Sequence, residues 1–177
     1  SLQKGWTIFL GKDDAHASLA WRVLDVNEDR AMLITKNTVM IQDAFDATEH
    51  TFVSYDRMGP YDEYGNLVQV DDWNKSNIKD LCTQLYKDWT FKDAYKQDAQ
   101  AVIPYTVEET ENYHAGRFDF EFLPSSLSGS PFFALSAKEA EQYFDSEADR
   151  ACTDADGNPA WWWLRSPGLT RLTVAQV

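Results

Sequence analysis

The sequence predicts an α+β domain of mixed, mainly antiparallel sheets with two or three flanking helices and long loops. Three observations predict it. The N-terminal third carries strand-like runs with a hairpin signal. Two helical signatures follow, one an apolar stripe and one a capping box. Strands and helices then alternate without βαβ regularity, internal repeat or low-complexity tract, which favours α+β over a parallel α/β sheet. A length of 177 residues suits one domain spanning 1–177. With 44% hydrophobic and 14% aromatic residues, that domain has the material for a core.

Each element has its own warrant. Trp6-Thr7-Ile8-Phe9-Leu10 reads as a strand stopped by Gly11. Ala20 to Val26 and Arg30 to Thr35 flank the polar turn Asn27-Glu28-Asp29, which makes a hairpin. Apolar residues on both faces of the third run predict a central strand covered on both sides. From Gln42 to Asp72 the pattern dissolves into turn chemistry with Tyr55, Tyr61 and Tyr64. Ile78, Leu81, Cys82, Leu85 and Trp89 then recur at helical spacing, with Asn74 or Ser76 as N-cap. A second short helix is expected from Thr90 to Ala99. Pro104 to Pro131 reads mostly as loop, apart from the alternating strand Phe118-Asp119-Phe120-Glu121-Phe122. Phe132 to Leu135 reads as a compact strand. It leads into Ser136-Ala137-Lys138-Glu139, a capping box whose helix buries Ala140, Tyr143 and Phe144. Leu172 to Val177 has strand composition, so the chain is expected to be truncated there and to belong to a larger surface protein.

Charge and cysteine usage narrow the function. A net charge of −13 and a pI near 4.5 oppose binding to phosphate backbones or anionic membranes. No apolar run approaches the ~20 residues of a membrane helix, so neither nucleic acid nor membrane insertion is expected. Cys82 and Cys152 are too few for a disulfide scaffold and lack metal-ligand spacing. They either pair in an oxidising compartment or stay unpaired as small hydrophobes.

Trp161-Trp162-Trp163-Leu164-Arg165-Ser166 is the strongest constellation. In a strand, Trp161, Trp163 and Arg165 share one face, and Trp162, Leu164 and Ser166 the other. One reading puts the segment in the core, with Arg165 stacked on an indole and paired to a buried carboxylate. The other makes Trp161, Trp163 and Arg165 a ligand-binding surface, with Tyr61 and Tyr64 as a second one. In the acidic stretch from Asp145 to Asp156 and its flank, Asp154, Asp156 and Asn158 supply alternate oxygens around Gly157, as calcium loops do. The remainder of an EF-hand is missing. His16, His50 and His114 lie far apart. No nucleophile elbow, phosphate-cradling loop or HExxH is present, so no catalytic residue and no cofactor beyond calcium is assigned.

Trp21-Arg22-Val23-Leu24-Asp25, Arg30 to Lys36, a Trp73-led helix, Phe133-Ala134-Leu135-Ser136 and Trp162-Trp163-Leu164-Arg165-Ser166-Pro167-Gly168 together carry a resemblance. The pattern resembles the domain of unknown function 6273 family. More remotely, it is similar to the C-type-lectin-like fold of formylglycine-generating enzymes and their non-catalytic relatives. That resemblance implies a bacterial protein of the cell envelope or exterior. The catalytic cysteines of those enzymes have no counterpart here, and Leu81-Cys82-Thr83 stands where the family has a Trp-Leu-Asn pattern. The expectation is a non-catalytic, extracellular binding module for a glycan or protein ligand. A purely structural domain is the alternative, and a hydrolase using carboxylates of the acidic stretch is a third reading.

Overall fold

Alternating side chains in the first 35 residues become a three-stranded antiparallel sheet in the order β1-β2-β3. Its strands are β1 (Thr7–Lys12), β2 (Ser18–Val26) and β3 (Ala31–Thr35). The computed structural model describes residues 1–38, 51–52, 60–61, 73–89, 102–115, 120–160, 162–167 and 174–176. The predicted hairpin is β2–β3, closed where the Asn27 N–H donates to the Arg30 carbonyl at 2.8 Å. Gly11 does not stop β1. It takes φ 73°, and the register shifts between Phe9 and Lys12, so the strand bends through a bulge.

Pairing Ile8 with Trp21 and Arg22 with Ile34 assigns the two faces of this sheet. On one face Ile8, Leu10, Leu19, Trp21 and Leu33 pack with Leu85, Tyr86, Trp89 and Phe132. The other carries Leu24, Met32 and Ile34 against Leu135, Ala140, Tyr143, Phe144, Leu164 and Trp162. β3 is thus covered on both faces, as expected. The middle strand, however, is β2, because apolarity on both faces reports covering layers and not the number of strand neighbours.

Among the described residues one small pair precedes the first helix. β4 (Thr51–Phe52) pairs with β5 (Pro60–Tyr61). A 3-10 turn at Trp73–Lys75 leads into α1 (Asn77–Asp88). The cap is Ser76: its hydroxyl accepts from the Lys79 N–H at 3.3 Å and donates to the Trp73 carbonyl at 2.8 Å. The predicted stripe is the inner face of α1, with Ile78 buried and Trp89 buried at the C-cap. The expected Thr90–Ala99 helix lies outside the described residues, as does most of the tyrosine-bearing stretch.

The span read as loop contains β6 (Tyr105–Val107), β7 (Tyr113–Ala115), β8 (Phe120–Phe122) and β9 (Leu127–Ser130). β6 pairs with β9 and β7 with β8, all antiparallel. These strands are three or four residues long, too short for a periodic pattern to mark, so alternation exposes only β8. Phe132 to Leu135 is not a strand. The Ala134 and Leu135 carbonyls accept from the Arg165 side chain and N–H instead of a ladder.

The capping box holds in full. α2 (Ala137–Tyr143) begins where the Ser136 hydroxyl accepts from the Glu139 N–H at 3.2 Å and Glu139 accepts from the Ser136 N–H at 2.9 Å. Ala140, Tyr143 and the C-cap Phe144 are buried as expected. The acidic stretch forms α3 (Glu147–Arg150) and then β10 (Cys152–Thr153), which pairs with β11 (Pro159–Ala160). β12 (Trp163–Pro167) pairs with β13 (Val174–Gln176), the strand read from its composition. The class is mixed α+β, with several small antiparallel sheets and three α-helices among the described residues.

Candidate functional site

β12 runs beside α2 and the Trp73 turn, and its centre holds two buried polar side chains, Arg165 and Ser166. Leu164, Arg165 and Ser166 are all buried. Ser166 has a structural task there: its hydroxyl accepts from the Ala137 N–H at 2.9 Å, satisfying an orphan donor of the first turn of α2.

Arg165 is 0% exposed. Its Nη1 donates to Glu139 Oε2 at 2.6 Å and Nη2 to Glu139 Oε1 at 3.0 Å, a bidentate fork. Nε donates to the Ser125 carbonyl at 2.9 Å, and Nη1 also to the Ala134 carbonyl at 2.9 Å. Nη2 reaches Glu109 Oε1 at 3.5 Å, while Glu109 Oε2 accepts from the Ser125 N–H at 2.9 Å. One guanidinium therefore ties together β12, the N-terminus of α2, the segment before it and the loop before β9. The expectation of a buried carboxylate partner is correct, but the ring beneath the guanidinium is Phe133 at 6.0 Å and not an indole. Phe133 stacks in turn on Tyr105 at 5.0 Å. Burial and the Glu139 carboxylate push the Tyr105 hydroxyl up; burial and the neighbouring Tyr105 do the same to Tyr143.

This placement corrects the expectation that Arg165 belongs to a ligand-binding surface. A side chain at 0% exposure with both of its terminal nitrogens on carboxylates has nothing to offer a ligand. Trp163 is half-buried and packs against Trp73, Ile78 and Leu127. Trp162 is half-buried beside Phe144, 6.0 Å between ring centroids, and its Nε1 donates to the Arg150 carbonyl at 3.2 Å. Trp161 and Tyr64 lie outside the described residues. Tyr61 ends β5 opposite Thr51, remote in the pairing scheme from β12. The five proposed ligand-binding residues are not brought together in what is described.

In the candidate calcium loop, Asp154 turns its carboxylate onto its own backbone. Oδ1 accepts from the Asp156 and Asn158 N–H groups, each at 2.9 Å, and Asn158 Nδ2 donates to Oδ2 at 3.3 Å. Those backbone donors, led by Asn158, hold the Asp154 carboxyl below its ordinary range. Gly157 supplies the turn with φ 85°. Asp156 and Asn158 are exposed. Among the described residues no group of three His, Cys, Asp or Glu side chains is placed to hold a metal ion. Elsewhere in the acidic stretch, Asp145 pairs with Lys4 at 3.2 Å and Asp149 with Arg22 at 2.6 Å. Both cysteines are free thiols, and burial pushes the Cys82 thiol up to about 12.

A different aromatic feature escaped the sequence reading. Phe9 is 71% exposed and Trp6 48% exposed. The register puts Thr7 and Phe9 on the same sheet face as Arg22 and Ile34, the face that α2 covers over β2 and β3. Over β1 that cover ends. The run Trp6 to Leu10, apolar except for Thr7, marks a strand but not where its covering layer stops. Comparison with family models, with curated proteins and with solved structures gives no match for this chain.

Proposed function

We propose that this chain is a non-catalytic binding module recognising a glycan or protein ligand, at the exterior or envelope of a bacterium. The observation that carries the reading is the uncovered sheet face over β1, where Phe9 stands 71% exposed close in sequence to the half-exposed Trp6. Aromatic rings held on a strand offer large rigid surfaces that stack on sugar rings or anchor a protein partner. The excess of acidic residues fits a partner that is neither nucleic acid nor anionic membrane, and no described helix is long and apolar enough to cross a membrane. The envelope location, the C-type-lectin-like scaffold and membership of the domain of unknown function 6273 family are parts of the same proposal. They rest on the Trp162 to Gly168 pattern and its companions.

A second reading, a purely structural domain of a surface protein, is favoured by the role of β12 itself. Trp162, Trp163 and Arg165, the most distinctive residues of the pattern, pack inward. A carboxylate-dependent hydrolase has less support, because Asp145, Asp149 and Asp154 are engaged with Lys4, Arg22 and the loop backbone.

The melting temperature across a saccharide panel, each sugar with calcium and with chelator, separates these readings. A ligand at 100 times its dissociation constant adds about 2.7 kcal/mol, a shift of several degrees. The expected result is a saturable rise with one sugar class that Phe9→Ser abolishes. Phe9→Ser alone changes stability by less than about 0.5 kcal/mol, since Phe9 is exposed. A rise that requires calcium and disappears in Asp154→Ala would assign the Asp154, Asp156 and Asn158 loop to the site. A flat panel, with no binding to envelope or host-surface proteins, would reject the module in favour of the structural reading.

A further inference from the structure

We draw no further inference here: the strongest candidate, the apolar concavity of about 1520 Å³ bordered by β3, α1 and the Phe132–Leu135 segment, carries nothing because nothing in the structure shows what covers it.

Discussion

Five side-chain donor contacts hold the Arg165 guanidinium, two of them to the buried Glu139 carboxylate. Such a pair contributes little net stability when intact, because both ions lost their hydration, yet breaking it strands a charge in the core. Arg165→Ala should therefore cost ~3–5 kcal/mol, read as a fall in the urea midpoint at unchanged slope. Lysine is not a rescue: it keeps the charge but lacks the planar fork that spans Glu139 and the two carbonyls. A loss below about 1 kcal/mol, the worth of an exposed pair, would show that Arg165 is not enclosed as described. Cys82 poses a simpler residue-scale question. Burial pushes its thiol up to about 12, so almost no thiolate exists near neutral pH. Ellman's reagent at mildly alkaline pH should find Cys82 silent in the folded protein, with any early signal arising from Cys152, whose thiol burial raises less. Both should react in denaturant without reductant; no reaction there would mean a disulfide joins them.

At the scale of elements, α2 is held by two serines from different parts of the chain. Ser136 caps it locally, and Ser166 on β12 satisfies the Ala137 N–H from 29 residues away. Ser136→Ala should cost ~1 kcal/mol, the usual worth of an N-cap. Ser166→Ala leaves a buried N–H without its acceptor and should cost ~1–3 kcal/mol. Equilibrium denaturation of both variants tests the ordering, and a neutral Ser166→Ala would place water at the Ala137 N–H. The contrast between the two serines also explains what was readable beforehand. Ser136 and Glu139 are three residues apart, so their reciprocal bonds are written into one turn of sequence. The α1 stripe and the β2–β3 hairpin were equally local, carried by periodicity and a short polar turn. Phe132 to Leu135 misled because its composition favours a strand, whereas its carbonyls are claimed by Arg165 some 30 residues later. For the site, alternation separates Trp163 from Leu164, which pack in different clusters, while Trp161 lies outside the described residues. Alternation could not reveal that both faces are covered, since that depends on where Glu139, Glu109 and Trp73 arrive. Phe9 was missed for the converse reason: an apolar strand residue gives no sign that its covering layer stops one strand short.

For the whole molecule, 29 acidic residues against 16 basic ones make repulsion at neutral pH a standing cost, relieved as carboxylates protonate. Individual pairs act in the opposite sense. Asp149 on α3 bonds the Arg22 side chain of β2, and that guanidinium also lies 5.2 Å from the Phe144 ring centroid at the end of α2. One cation thus joins the sheet to both short helices. The hydrogen bond from Arg22, followed by that from the Asp145 N–H, holds the Asp149 carboxyl below its ordinary value of 3.8. A carboxyl depressed in the folded state releases its proton more readily there than in the unfolded chain. Its stabilisation is therefore complete above the unfolded value and is lost as pH falls through the folded one. Because general charge relief works the other way over the same range, the protein's own pH profile does not isolate the pair. The difference between wild type and Asp149→Asn does. The variant should be the less stable at neutral pH, and the gap should stay constant above the ordinary carboxyl range and then close as pH falls through the lowered Asp149 value. Urea midpoints of both proteins across that range provide the measurement. A gap that persisted at the acid end would mean the Asp149 side chain acts by accepting a neutral hydrogen bond from the Asp145 N–H, and that Arg22 is anchored by Phe144 and the Asp149 carbonyl instead.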